Sequence, residues 1–197
     1  MIGRFFGRLL YSSRGHDSSL VCNDHELSPT PTSIPIASSD FQPDSPLPLK
    51  CALPGIGDNI SPHLEWSNIP EGTEQLVLIM QDPDAPMPFA VTHMVLLFIP
   101  PTTTSFEAGA LTVPEKGDVR APVAGGCRFG KAIMGKRGYM GPGPVPAHGP
   151  HRYFFDLFAL KEKLPEEAVN WSQKQVVRTM APLVIARGQL VGTYERH

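Results

Sequence analysis

A chain of 197 residues, 41% of them hydrophobic, is long enough to bury the core of one domain. The net charge of −2 gives no reason to expect bulk attraction to nucleic acid, and no apolar run approaches the ~20 residues that a membrane-spanning helix needs. Three cysteines without a CxxC spacing argue against a disulfide framework and a structural zinc site, and they favour a reducing, cytoplasmic location.

The N-terminal stretch admits two interpretations. Its arginines and hydroxyl residues, with no acidic residue before Asp17, fit a mitochondrial presequence, which would change the location. The same stretch also fits one face of a short helix docked on the domain, formed by Ile2, Phe5, Phe6, Leu9 and Leu10. The residues alone fit both interpretations. We prefer the docked helix, followed by a loose wrap rich in Ser, Thr and Pro, because the opening GRFFGRLL (3–10) is similar to a helix carried by some proteins that share the motifs given below. Residues 1–46 are then the helix and wrap, and residues 47–197 are the globular domain.

The remaining chain predicts many short strands joined by ordered loops, because its 22 prolines and 18 glycines cluster between apolar segments. One late helix is predicted over Pro165 to Met180, since a proline is tolerated in the first turn. The fold class is therefore mainly β, a β-sandwich with a few peripheral helices. The predicted strands are Leu47–Leu53, Gln75–Gln81, Val91–Ile99, Tyr153–Leu160, Val184–Arg187 and Gln189–Tyr194.

Two proline-rich segments carry polar residues at strand ends. The apolar run LVLIMQDPDAPMP (76–88) ends in Asp82 and Asp84, and its prolines restrict the backbone there. The segment GYMGPGPVPAHGPHRYFFDLFAL (138–160) alternates glycine with proline before a strand that begins at His151. Such a loop is ordered without regular secondary structure and suits a pocket wall. A third apolar strand holds His93, so a site at these strand ends is expected.

Other motifs are less convincing. GKAIMGK (130–136) matches a phosphate loop, but Arg137 stands where a Ser or Thr would bind magnesium, and no helix can follow. Asp82, His93 and His151 could form an iron site, and His148 with His151 a metal pair, but isolated histidines are more often structural. We therefore expect no metal and no cofactor. The basic stretch from Val119 to Met140 is either a solvated loop or a positive rim for an anionic ligand.

These motifs resemble those of the phosphatidylethanolamine-binding proteins, in their Raf-kinase-inhibitor-like branch from bacteria and fungi. The matching stretches are NISPHLEWSNIPEG (59–72), LVLIMQDPDAP (76–86), the strand with His93, GPGPVPAHGPHRYFFDLFAL (141–160) and ARGQLVGTYER (186–196). The resemblance implies a β-sandwich with a small anion-binding pocket at one end and a cis Ala85–Pro86 bond. It also implies the ligand-binding residues Asp82, Asp84, Pro86, His93, Gly141, Gly143, Pro144, His151 and Tyr153. We expect Arg152 to form an ion pair with Asp84.

The resemblance leaves several functions open, and it does not decide whether the protein is an enzyme. A carboxylate next to imidazoles is expected to keep them cationic, which would suit an anionic small molecule or a lipid head group. Alternatively, Asp82, His93 and His151 would be acid–base groups in fungal secondary metabolism that makes maleic-anhydride dimers (maleidrides). A third alternative is a kinase or protease regulator that uses its outer surface, so a protein partner is also considered. Nucleic acid and integral membrane contact are not expected.

Overall fold

The computed structural model describes residues 7–27, 29–113 and 122–197. Two antiparallel sheets form the framework, with strand orders β1-β2-β5 and β6-β4-β3-β7-β8. The strands are β1 Ile36–Ala37, β2 Leu64–Trp66, β3 Gln75–Asp82, β4 Val91–Ile99, β5 Ser105–Phe106, β6 Arg128–Phe129, β7 His151–Leu160 and β8 Val184–Tyr194.

The central strand β3 explains why the sheet is covered on both faces. All of its residues are buried, and successive side chains in a strand point to opposite faces. Leu76, Leu78 and Met80 join the core cluster that contains Trp66 of the small sheet. Val77 and Ile79 pack instead with residues of the C-terminal helix, Gln173–Met180. The mainly β architecture predicted from the sequence is confirmed.

One predicted strand and the predicted late helix differ in the structure. Leu47–Leu53 forms a 3-10 turn at Leu49–Cys51 rather than a strand, with the Cys51 N–H donating to the Pro48 carbonyl. Pro48 in this segment lacks the N–H that a strand ladder needs. The predicted helix from Pro165 to Met180 is interrupted, because Ser172 caps a new helix through a capping box with Gln175. The preceding turn is the 3-10 helix Glu166–Asn170.

The last strand is longer than predicted, because Gly188 does not break it. Gly188 pairs with Leu157 in the middle of β8. A Cβ at this position would overlap the carbonyl oxygen of Ile34, so glycine here permits the close approach of another backbone segment. The two strands predicted on either side of Gly188 are therefore one.

The N-terminal region runs along the edge of the large sheet. Residues 7–9 are helical, whereas Ile2, Phe5 and Phe6 of the predicted helix lie outside the described residues. Thr32 and Pro46 form isolated bridges with Arg187 and Thr193 of β8. Within the part of the chain that is described, no helix has the length and apolarity to cross a membrane.

Candidate functional site

Strand pairing brings the predicted polar residues together at one end of the large sheet. Asp82 ends β3 and His151 begins its antiparallel neighbour β7, so both lie at the same edge. The Nδ1 atom of His151 lies 2.8 Å from Oδ2 of Asp82. His93 on β4 places its Nε2 atom 3.9 Å from the same oxygen. The Tyr153 ring lies edge-on to His93, with 5.3 Å between ring centroids.

These side chains line a cavity of about 200 Å³, which we call the site cavity. Its walls are formed by the ends of β3, β4 and β7 and by the loop of residues 138–150, which we call the glycine-proline loop. Seven of the nine residues expected to bind ligand lie in this lining. They are Asp82, Pro86, His93, Gly143, Pro144, His151 and Tyr153, and they are joined by Leu53, Ala85, Val91, Met140 and Val145.

Asp84 has a structural role beside the cavity and does not line it. Its carboxylate accepts hydrogen bonds from the Arg152 guanidinium at 2.8 and 2.9 Å, as expected from the sequence. Burial opposes ionisation of Asp84, but the bonds from Arg152 outweigh it and hold the pKa of the carboxyl below its usual value. Arg152 also contacts Asp17, so this ion pair attaches the N-terminal region to the start of β7.

Gly141 also lies outside the lining and acts through the backbone. Its N–H donates to Oδ1 of Asn59 at 2.8 Å. A Cβ at Gly141 would overlap the carbonyl oxygen of Cys51, so only glycine lets the loop pass this close. Gly141 therefore positions the loop that contains Gly143.

The Ala85–Pro86 bond is trans, in contrast to the cis bond that was expected, and the described residues contain no cis peptide bond. The turn is closed by other interactions. The Asp84 N–H donates to Oδ1 of Asp82 at 2.8 Å, and the Met87 N–H donates to the Ala85 carbonyl at 2.7 Å. These bonds hold the DPDAP turn against the cavity without a cis proline.

His93 differs from the expectation that both imidazoles are cationic. Burial lowers its pKa below the usual value, and the opposing attraction of Asp82 does not compensate. Its Nδ1 lies 2.8 Å from the Met140 carbonyl oxygen, which can only accept, so Nδ1 carries the proton. At neutral pH, Nε2 therefore presents a lone pair on the side of Asp82. His93 is an acceptor in the site, and the expectation was wrong because it underestimated burial.

Tyr153 supplies an unused donor. Its side chain is buried, and its hydroxyl has no hydrogen-bond partner among the described residues. Burial raises the pKa of Tyr153 well above its usual value, and the charge of Asp82 adds to this effect. The Gly143 amide slightly opposes the shift, but no hydrogen bond of normal geometry reaches the oxygen. The hydroxyl thus stays protonated at neutral pH, and its donor is unused among the described residues.

His148 is a site residue that the sequence did not identify. It is fully buried, and its Nδ1 lies 2.7 Å from Nε2 of His151. The two ring nitrogens therefore point at each other and not at a common metal position. The described residues contain no group of three or more side chains that could bind a metal ion. The spacing of three residues to His151 was the available signal, but it was interpreted only as a metal pair.

The basic stretch does not form a rim on the site cavity in the part of the chain that is described. Arg128 pairs with Glu166, and Arg137 donates to the carbonyl oxygens of Phe129 and Val169 at 2.6 Å. Lys131 lies in a different surface depression near Phe89. Arg120 lies outside the described residues.

Comparison with known proteins agrees with this geometry. The family profile described as "Phosphatidylethanolamine-binding protein" matches residues 37–195. The chain belongs to the phosphatidylethanolamine-binding protein (PEBP) family. Among solved structures, the PEBP homologue from Chlamydia trachomatis has a TM-score of 0.71 at 28% identity, covering 84% of this chain and 99% of that one. YbcL of E. coli, another PEBP member, has a TM-score of 0.72 at 27% identity, covering 83% and 99%.

Curated relatives of this PEBP differ in how much of the chain they match. A UPF0098 protein of Aquifex aeolicus is 39% identical over 140 residues, which cover 71% of this chain and 77% of the relative. The "Phomoidride biosynthesis cluster protein B" of a fungal species is 32% identical over 193 residues, covering 96% and 91%. The fungal match therefore extends over nearly the whole chain, including most of the N-terminal region.

Proposed function

We propose that this PEBP binds an anionic small molecule or a lipid head group in the site cavity. The observation that carries the proposal is the buried Tyr153 hydroxyl, which has no partner among the described residues although it lies beside Asp82 and His93. An unpaired buried hydroxyl costs free energy, and an oxygen of a bound ligand would satisfy it. The alternate glycines and prolines of the loop hold this wall in place before a ligand arrives.

The hydrogen-bonding groups of the cavity restrict the ligand further. Tyr153 offers a donor, whereas Nε2 of neutral His93 is an acceptor on the side of the Asp82 carboxylate. A phosphate monoester or an acid that keeps one O–H can use both, because it presents acceptor oxygens and a donor. The cavity of about 200 Å³ is below the ~300 Å³ typical of small-molecule sites, which favours a head group or a small acid.

Thermal shift with inorganic phosphate, phosphoethanolamine and small dicarboxylic acids tests this proposal. A bound ligand raises the melting temperature of the native protein by mass action. Tyr153→Phe removes only the hydroxyl, and we expect it to weaken binding by about 5- to 150-fold, the range for a lost buried hydrogen bond. Tyr11→Phe is the matched control, because the Tyr11 side chain is 58% exposed and does not line the site cavity. Equal binding by wild type and Tyr153→Phe would contradict the proposal.

A second candidate is an enzymatic or accessory role in maleidride biosynthesis. It is supported by the match to the phomoidride cluster protein, which extends over 96% of this chain. Asp82, His93 and His151 would then transfer protons to or from a carboxylate or anhydride intermediate. With such a substrate, His93→Gln is expected to lower turnover by about 10²- to 10⁴-fold while substrate still binds. Unchanged turnover in this variant would exclude His93 as the acid–base group.

A further inference from the structure

We propose that His148 is a positioning residue that keeps His151 doubly protonated and couples this state to the docking of the N-terminal segment, residues 7–16. The proposal concerns the protein without ligand, so it does not depend on the proposed function. It is carried by a continuous hydrogen-bond chain that runs from Asp82 through His151 and His148 to the Leu10 carbonyl.

The three contacts of this hydrogen-bond chain determine how many protons its side chains must carry. At one end, Nε2 of His148 lies 2.7 Å from the Leu10 carbonyl oxygen, which can only accept, so this nitrogen carries a proton. The 2.7 Å contact between the two imidazoles and the 2.8 Å contact from His151 to Asp82 need one proton each. Two neutral imidazoles and an ionised carboxylate together carry only two such protons. The complete chain therefore requires one additional proton.

The surroundings assign that proton to His151. Burial lowers the pKa of His148, and the charges of His151 and Arg14 lower it further, which together outweigh the opposite effects of the Leu10 carbonyl and Asp82. His148 is then neutral, donates to Leu10 through Nε2 and accepts through Nδ1. Asp82 accepts from the Asp84 N–H through its other oxygen at 2.8 Å, which favours an ionised carboxylate. His151 consequently donates through both nitrogens and forms an ion pair with Asp82.

The charged and titratable groups around the chain agree with this assignment. From β4, His93 is neutral at pH 7. From β7, Tyr153 stacks on the His151 ring, and Arg152 is paired with Asp84. From the N-terminal segment, Arg14 lies over the Tyr11 ring and 3.9 Å from Asp84. The two nearby arginines, Arg14 and Arg152, thus both lie next to Asp84. Asp82 is therefore the carboxylate that pairs with His151.

The same hydrogen-bond chain attaches the N-terminal segment to the loop that borders the site cavity. Arg14 donates to the carbonyl oxygens of His148 and Pro150. Gly149 has a φ of 91°, and a Cβ there would collide with Arg14 and Tyr11, so the segment lies directly on this glycine. The Gly15 N–H donates to Asp84 at 3.2 Å. Residues 7–16 therefore connect the DPDAP turn with the glycine-proline loop.

Two consequences follow for the site. Because both N–H groups of His151 are used inside the protein, His151 gives a ligand positive charge but no hydrogen bond. Loss of the additional proton would leave two lone pairs facing each other at the 2.7 Å imidazole contact. That repulsion would push His148 from the Leu10 carbonyl and weaken docking of the N-terminal segment.

NMR of the full chain with ¹⁵N-labelled histidine tests the proposal directly. At pH 7 we expect both ring nitrogens of His151 to give protonated signals, and His148 to be protonated at Nε2 alone. His148→Gln preserves an acceptor for His151 and a donor for Leu10, so His151 should remain doubly protonated. His148→Leu removes both, and the doubly protonated population of His151 should fall about tenfold or more.

Amide hydrogen exchange of residues 7–16 provides the second readout. We expect about tenfold faster exchange in His148→Leu than in wild type or His148→Gln. His25→Gln is the control, because the His25 side chain is 88% exposed and outside the hydrogen-bond chain. A singly protonated His151 in wild type at pH 7 would overturn the proposal even if His148→Leu fails to fold. Unchanged exchange in a folded His148→Leu would overturn the coupling.

Discussion

The substitution Asp156→Asn is predicted to change how stability depends on pH. Asp156 lies in β7 between Ile79 and Gln189 and is only 1% exposed. Gln189 donates to Oδ1 at 2.8 Å, whereas Oδ2 has no partner within the described parts of the chain. Burial raises the pKa of Asp156 to about 6, although Gln189, the charge of Arg187 and the Cys22 thiol partly oppose the shift.

The direction of the pH dependence follows from this shift. Because the folded pKa of about 6 exceeds the ordinary value of 3.8, the native state retains a proton that the unfolded chain loses between these values. The stabilising contribution of the protonated carboxyl is complete below the unfolded pKa and is lost as pH rises through the folded pKa. A shift of this size corresponds to about 3 kcal/mol of unfolding free energy.

Urea unfolding of wild type and Asp156→Asn from pH 4 to pH 8 measures this difference. The asparagine amide adds a pH-independent cost, because it places a donor where Oδ2 has no partner among the described residues. The variant should therefore gain about 2 kcal/mol relative to wild type between pH 4 and pH 7, whatever the constant offset, because the unfolded carboxyl is already partly ionised at pH 4. Asp44→Asn, at an exposed turn, is the control. A stability difference between the two proteins that stays constant over this pH range would contradict the raised pKa of Asp156.

Three further predictions concern stability. Gly188→Ala should lower the free energy of unfolding by about 1–3 kcal/mol, because its Cβ would overlap the Ile34 carbonyl oxygen; an unchanged urea midpoint would contradict this. Ser172→Ala should cost about 1 kcal/mol through loss of the helix cap, and an unchanged Tm would contradict it. Arg152→Met should cost about 2 kcal/mol at pH 7 because buried Asp84 loses its guanidinium. That cost should shrink as pH falls below the ordinary carboxyl value of 3.8, since Asp84 has a lowered pKa, and a pH-independent cost would argue against the ion pair.

The central sheet could be predicted because its pattern is local. Val91–Ile99 has the bounds given by its apolar run, and β3 differs from the predicted strand by the single residue Asp82. Residues that form elements through distant contacts were not predicted correctly. In the sequence, Gly188 predicts the end of a strand. Only the close approach of the Ile34 backbone explains why β8 continues through a glycine at this position.

The residues that form the site could be predicted from the sequence, but their protonation states could not. Asp82, His93, His151 and Tyr153 came from the family motifs, and strand pairing does bring them together. The neutral state of His93 depends on burial, which the sequence does not give. His148 was missed because its partner is the Leu10 carbonyl, 138 residues away in the chain.

The most direct test of the proposed anion site is an amide ¹H–¹⁵N NMR titration with phosphoethanolamine and inorganic phosphate. We predict saturable shifts at the residues that border the site cavity, with Gly143 and Tyr153 among the largest, and loss of these shifts in Tyr153→Phe. Shifts confined to another surface, or no shift from any anion in the folded protein, would contradict it.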